Sequence, residues 1–420
     1  MESIKQNKLV LFGAGRIGRS FIGQLFSTGG YEVVFIDISR QLVDELNRRG
    51  NYNVIIKSGI EEVINIKNVR GVFAGDNQNV IHEVATAGIV GVSVGLDGLE
   101  KIFSSIAAGL LKRYEINSNY ALDIIIAENM RNAARYFHMQ LKRLLPQSYP
   151  FDKLVGLIET SIGKMVPIMP GKETRKDILQ VFAEPYNTLI LDKRGFKNPI
   201  PPIEGLAPKE NMEAWVDRKL FIHNLGHSAA AYIGYLYNPE FIYIYQVLEI
   251  PEIFTEVRGI MLQAANILLK KYPDEFTPDD LTTHIDDLLY RFLNKALGDT
   301  IFRVGCDLTR KLGPQDRIAG AINSAMELGL PYDRILYALV CGCHFRAKDE
   351  DGNAFKGDLD FEKSFRKGLK QVLTKLCGFN ERNDRITYSG CHRNTFKSVK
   401  RKLPGAGIIT KIRYPFCYFV

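Results

Sequence analysis

The sequence predicts an α/β domain built on a mostly parallel sheet, followed by an all-helical C-terminal domain. Three observations carry this reading. A strand–glycine turn–helix–strand unit occupies residues 8–37, short apolar runs then alternate with helical patterns to about residue 200, and from Asn211 onward the apolar spacing is helical. Strands that alternate with helices form parallel sheets covered on both faces. The expected domains are 1–205, 206–377 and a basic tail, 378–420.

The first elements follow directly. Lys8–Phe12 is an apolar run, Ile17–Phe26 carries apolar residues at helical spacing, and Tyr31–Asp37 is a second strand, which is the length of a βαβ unit. Further strands are expected at Val54–Ile56, Gly88–Val94, Asp123–Ala127, Leu154–Glu159, Leu179–Phe182 and Thr188–Leu191. The proline-rich stretch 197–203 reads as a connection. Helices are expected over 211–236, 253–271, 278–296, 315–328 and 331–347.

Length and composition bound the class. At 420 residues two domains are natural, and 46% hydrophobic with 24% charged residues is ordinary for a soluble globular protein. No apolar run is long enough to cross a bilayer, and the first residues lack signal-peptide organisation. A cytoplasmic protein with no membrane partner is the expectation. The net charge of +8 sits mostly in the tail, where nine Lys/Arg face two Asp/Glu. With no recognition fold around it, that charge does not point to a nucleic-acid partner. All six cysteines lie in the last third, and Cys341-Gly-Cys343-His344 lacks the paired Cys-x2-Cys spacing of a zinc site. Cys341 and Cys343 read as small buried residues on a packed helix, with no metal expected.

The glycine turn Gly13-Ala14-Gly15-Arg16-Ile17-Gly18 follows a strand and opens a helix, the setting of a Rossmann-type dinucleotide site. Gly13 permits the tight turn, Gly15 lets backbone approach a pyrophosphate, and Gly18 allows close helix–strand packing. The helix N-terminus supplies free N–H groups for the phosphates. Asp37, nineteen residues after Gly18, suits the two ribose hydroxyls and would repel a 2′-phosphate, so NAD is the expected cofactor. Arg40 keeps the phosphorylated cofactor open. Ser93, Val94 and Asn129 follow later strands, and ligands in open parallel sheets sit beyond such strand ends. They are expected on the nicotinamide side. The Asn129 carboxamide can donate to an alkoxide, and a helix cap is its alternative use.

A second group carries the chemistry. On an α-helix at about 100° per residue, Lys219, His223, Asn224 and His227 fall within roughly 140°. Lys219 can take a hydroxyl proton if burial or a nearby cation lowers its pKa from its usual value near 10.4. Asn224 and Asn129 can donate to the oxygen as charge builds, and His227 can bond the same hydroxyl or its neighbour. Singly, each residue reads as a solvated lysine or a satisfied core histidine. Their spacing together with the glycine turn points instead to alcohol–carbonyl redox chemistry.

Lys219-x4-Asn224-x2-His227 with Gly13-x-Gly15-x-x-Gly18 resembles the polyol-specific long-chain dehydrogenases, above all members acting on mannitol 1-phosphate. Supporting stretches are Phe12 to Gly23, Ala127 to Met130, Glu184-Pro-Tyr186, Asp217 to Leu220, Arg303-Val-Gly305, Arg310-Lys-Leu312 with Asp316-Arg317, and His344-Phe-Arg346. The likeness spans roughly residues 7–375. It implies a Rossmann domain plus a helical domain, no metal, Lys219 as acid/base, and Asn129 and Asn224 polarising the reacting oxygen.

Two departures bear on the substrate. Ile162-Gly163-Lys164-Met165-Val166-Pro167 stands where the family commonly reads Val-Asp-Arg-Ile-Val-Pro, and Cys306 replaces the last arginine of Arg-Val-Gly-Arg. Lys164, Arg303, Arg310, Lys311, Arg317, His344 and Arg346 remain to bind a phosphate or carboxylate. A spacing of seven puts Arg303, Arg310 and Arg317 on similar faces of a helix, although Gly313-Pro314 interrupts it; surface salt bridges are the alternative. The expected reaction interconverts a sugar-alcohol phosphate and a ketose phosphate, with mannitol 1-phosphate and fructose 6-phosphate as the first pair. A free polyol, a hexuronate such as fructuronate or tagaturonate, and a silent NAD sensor stay open. The expected partner is a small molecule, in a monomer or small homo-oligomer.

Overall fold

A computed structural model of the chain describes residues 3–167, 169, 171–368 and 371–379. The basic tail from residue 380, with Cys391 and Cys417, lies outside the described residues. The described residues divide into two compact units, with the boundary between Val216 and Asp217.

The described strands of the first unit are β1 (Lys8–Phe12), β2 (Glu32–Asp37), β3 (Asn51–Ile56), β4 (Glu62–Lys67), β5 (Val69–Phe73), β6 (Ile89–Val92), β7 (Leu122–Ile126), β8 (Val155–Ser161), β9 (Val181–Ala183), β10 (Leu189–Asp192) and β11 (Leu206–Lys209). Eight form one sheet in the order β11-β10-β8-β7-β6-β1-β2-β5. It is parallel from β5 to β8, and β10 runs antiparallel to β8. The chain leaves β1 for β2 on one side and later reaches β6 on the other. That reversal is the place where doubly wound sheets bind ligands.

Burial on both faces explains the unbroken apolar run of β1. Leu9 and Leu11 pack with Phe21, Ile22 and Leu25 on one face. Val10 and Phe12 pack with Val84, Ile102 and Phe103 on the other. Lys8 is buried at the strand start, where its Nζ meets Glu83 Oε2 at 2.8 Å and Thr86 Oγ1 at 2.6 Å.

This is the predicted class, with additions. β3 and β9 belong with β4 to a separate three-stranded sheet, β4-β3-β9. β4, β5 and β11 have no counterpart in the sequence reading. β4 buries only Ile66 among its six residues, β5 is interrupted by Arg70 and Gly71, and β11 is an edge strand holding Pro208. None shows an apolar run.

The second unit is helical. Leu225–Tyr237 is apolar and almost wholly buried, and Pro251–Lys271 and Asp333–Cys343 pack against it. Cys341 and Cys343 lie buried on the last of these. Pro278–Phe292 starts at a capping box, in which Thr277 Oγ1 accepts from the Asp280 N–H and Asp280 Oδ2 accepts from the Thr277 N–H. Among the described residues no helix is long and apolar enough to cross a membrane.

Two expectations need correction here. The helix expected over 211–236 is three pieces: α-helix Met212–Arg218, a π-helical turn Lys219–Asn224, and the α-helix Leu225–Tyr237. Arg303, Arg310 and Arg317 share no helix face. Arg303 lies on Ile301–Gly305 and Arg310 on Leu308–Lys311, separated by Asp307 in the left-handed region (φ 72°), and Arg317 precedes the helix Ala319–Glu327.

Candidate active site

The glycine turn is built at the C-terminal end of β1. Gly13 takes φ +93°, and a Cβ there would stand 2.2 Å from the Ser93 carbonyl oxygen. A Cβ on Gly18 would stand 2.1 Å from the Gly13 carbonyl oxygen, so the helix closes directly on the turn. At Gly15 nothing lies within 4 Å of such an atom. The chain is helical from Arg16, and Gly15 and Arg16 are exposed, with Ile17 half-buried. Two glycines are thus demanded by the protein's own packing, and the third faces open space. That arrangement fits a pyrophosphate.

Asp37 ends β2 beside the turn. Its Oδ2 accepts from the Ala14 N–H at 2.8 Å and its Oδ1 from the Ser39 N–H at 2.8 Å. The carboxylate is therefore fixed, with lone pairs left for hydroxyls. Arg40 lies over the Phe73 ring, 4.0 Å from its centre.

Ser93 and Val94 follow β6, and exposed Asn129 follows β7, so all three stand at the same sheet edge as the glycine turn. Buried Glu128 ties this edge together. Its Oε1 accepts from the Val94 and Gly95 N–H groups at 2.7 and 2.9 Å. Burial raises the Glu128 pKa, and these two donors oppose the rise. Lys164 is buried in the same unit, with Nζ 2.8 Å from Asn187 Oδ1, 3.5 Å from Gln24 Oε1 and 5.3 Å from the Phe21 ring centre.

In the helical unit, Lys219 and Asn224 bound the π-turn, and the Leu225 N–H reaches the Leu220 carbonyl in the i→i+5 pattern. This pairing places residues five apart about one turn apart, so the turn brings Lys219 and Asn224 nearer to one face than an α-helix does. Lys219 is half-buried. Burial, and after it the Arg317 guanidinium, lowers its ammonium to about 8 against the opposing pull of Asp316. An amine at that value exchanges protons near neutrality.

His223 is buried, with a pKa pushed well down by burial and by Arg291. His227 stacks on Phe292 at 4.5 Å between ring centres and 8° between planes. Its Nε2 stands 3.1 Å from Asp299 Oδ2. Burial, with Arg303, Arg317 and Lys311, holds His227 well below the usual histidine range, so it is neutral.

The basic candidates differ in their partners. Arg303 pairs with Asp299 Oδ1, Arg310 with Asp307 Oδ2 at 2.5 Å, and Arg317 with Asp316 Oδ1 at 2.8 Å. Lys311 is buried, and its Nζ donates to the Val304 and Arg303 carbonyls at 2.8 and 3.4 Å. Burial, and after it Arg317, lowers it to about 8. His344 and Arg346 form a separate group on Phe365, one ring edge-on at 5.0 Å and the guanidinium 5.3 Å from the ring centre. Burial pushes His344 down to about 4.

Models of the mannitol dehydrogenase Rossmann domain and the mannitol dehydrogenase C-terminal domain match residues 7–205 and 211–376. The chain belongs to the mannitol dehydrogenase family. That membership makes it a polyol oxidoreductase. Its fold is similar to that of a D-sorbitol dehydrogenase in substrate-free form, at 17% identity and TM-score 0.73, over 96% of this chain and 92% of that one. It is also similar to Pseudomonas fluorescens mannitol 2-dehydrogenase in a ternary complex with NAD and D-mannitol, at 16% identity and TM-score 0.72, over 97% and 95%.

Two supports of this mannitol dehydrogenase family member escaped the sequence reading. One is the Glu128 carboxylate, whose backbone partners lie more than thirty positions away. The other is Asp217, buried two residues before Lys219, which accepts from Tyr272 Oη at 2.7 Å and Lys271 Nζ at 2.8 Å. The signal available for the second was an acid two positions before the lysine.

Proposed function

We propose that this protein is an NAD-dependent oxidoreductase that interconverts a sugar-alcohol phosphate and a ketose phosphate, with mannitol 1-phosphate and fructose 6-phosphate as the first pair to test. The assignment of the mannitol-1-phosphate 5-dehydrogenase type rests on the residue motifs, and the proton chemistry rests on Lys219. A lysine brought to about 8 at the start of a π-turn that ends in Asn224 is the observation that carries the reading.

Gly13, Gly15, Gly18 and the helix beginning at Arg16 hold the pyrophosphate, and Asp37 takes the ribose hydroxyls. Ser93, Val94 and Asn129 line the nicotinamide side. Bound NAD supplies the hydride acceptor. Uncharged Lys219 takes the hydroxyl proton during oxidation, and its ammonium returns that proton during reduction. The carboxamides of Asn224 and Asn129 donate to the reacting oxygen as its charge develops. The neutral imidazole of His227 bonds the same hydroxyl or its neighbour.

Lys311 supports a phosphorylated substrate. No carboxylate stands at ion-pair distance from it among the described residues, and a phosphate dianion would stabilise its buried ammonium. Lys164, Arg303, Arg310, Arg317, His344 and Arg346 remain substrate-binding candidates. The pairing of Arg303, Arg310 and Arg317 with carboxylates favours a second reading, a free polyol or a hexuronate. NADH absorbance with fructose 6-phosphate, other ketose phosphates, free ketoses and hexuronates decides between them. The highest kcat/KM belongs to a ketose phosphate on the first reading. Turnover confined to free ketoses or hexuronates overturns it, and tight NADH binding without turnover makes the protein a sensor.

A further inference from the structure

We propose that Arg19 is a positioning residue for the cofactor phosphates, acting through the Ala14–Gly15 peptide; this rests on the NAD reading of the glycine turn. Arg19 is only 6% exposed. Its guanidinium donates to three main-chain carbonyls: from Nε to Ala14 at 2.7 Å, and from Nη1 to Ile178 at 2.8 Å and Leu179 at 2.6 Å. Among the described residues no carboxylate stands at ion-pair distance from it. A buried cation is costly unless its site uses it, and an aliphatic side chain could fill the same space.

The use lies in the orientation of one peptide. The Ala14 N–H is held by Asp37 Oδ2, and the Ala14 carbonyl is held by Arg19 Nε. No described peptide bond is cis, so the N–H of Gly15 points opposite to the Ala14 carbonyl. With that carbonyl drawn inward, the Gly15 N–H is turned outward, at the glycine that has open space beside it. Arg19 therefore sets the direction of a phosphate donor without touching the phosphate.

The guanidinium also braces the turn from behind. Ile178 and Leu179 lead into β9, and Tyr52 of β3 donates its hydroxyl to the Arg19 carbonyl at 2.7 Å. The three-stranded sheet is thereby fastened to the cofactor turn on both sides of Arg19. Only a planar fork reaches Ala14 and the 178–179 carbonyls together; a lysine ammonium is a single point.

The test compares ligands with and without the pyrophosphate. NADH and ADP-ribose carry it; adenosine does not. Binding is measured for the wild type, Arg19→Met and Arg19→Lys, by NADH fluorescence and by competition. Arg19→Met should weaken NADH and ADP-ribose by about tenfold or more, the equivalent of one charge-assisted hydrogen bond, and leave adenosine unchanged. Arg19→Lys should fall between, and kcat at saturating NAD should hold. Equal weakening of adenosine and ADP-ribose, or no weakening at all, overturns the proposal. If Arg19→Met does not fold, the ADP-ribose-to-adenosine ratio of Arg19→Lys decides, and an unchanged ratio overturns it. A wild type that fails to bind ADP-ribose overturns the NAD reading and this proposal together.

Discussion

Arg317 Nη1 donates to the carbonyl oxygen of Asn224 at 3.4 Å, which anchors a guanidinium on the helix that carries Lys219. Ser228 Oγ accepts a second bond at 3.2 Å, and Asp316 holds Nε at 2.8 Å. The cation is fixed from three sides, so its repulsion of the Lys219 ammonium is built in. Arg317→Met should move the pH midpoint of polyol oxidation toward alkaline values, because Asp316 then acts on Lys219 alone. An unmoved midpoint in a pH–rate profile would assign the shift to burial.

The glycines of the cofactor turn should separate by experiment. Gly18→Ala drives a methyl into the Gly13 carbonyl and should cost about 1–3 kcal/mol of stability as well as NADH affinity. Gly15→Ala meets open space, so its melting temperature should stay at the wild-type value while NADH binding weakens. Thermal melts and NADH titrations on the same samples check both. A Gly15→Ala protein that binds NADH normally would remove the phosphates from that glycine.

Asp37 has two duties, and its substitution should show both. Asp37→Ala should lower the preference for NADH over NADPH, because the charge facing a 2′-phosphate is gone. It should also weaken NADH itself, because the Ala14 and Ser39 N–H groups lose their acceptor. The two dissociation constants measure this, and an unchanged ratio would release Asp37 from its role.

What the sequence revealed follows from what residue types encode. Gly13 and Gly18 were legible because only glycine fits a positive φ or a backbone contact, and β1 because both its faces are buried. The π-turn was not, since an i→i+5 register leaves the residue types of Lys219–Asn224 unchanged. Arg19 was hidden for another reason: two of its three acceptors are carbonyls 159 and 160 positions away. The shared face of Arg303, Arg310 and Arg317 failed on Asp307, whose left-handed backbone ends one short helix and starts another.

Proton transfer by Lys219 is tested most directly by the pH dependence of polyol oxidation at saturating NAD, in wild type and Lys219→Ala. Oxidation needs the uncharged amine, so the wild-type rate should rise with pH through a midpoint of about 8, and ketose reduction should fall across the same range. Lys219→Ala should lose about 10² to 10⁴ in kcat, lose that limb, and bind NADH as before. A limb that persists without the lysine, or NADH binding that falls in step with the rate, would contradict the account.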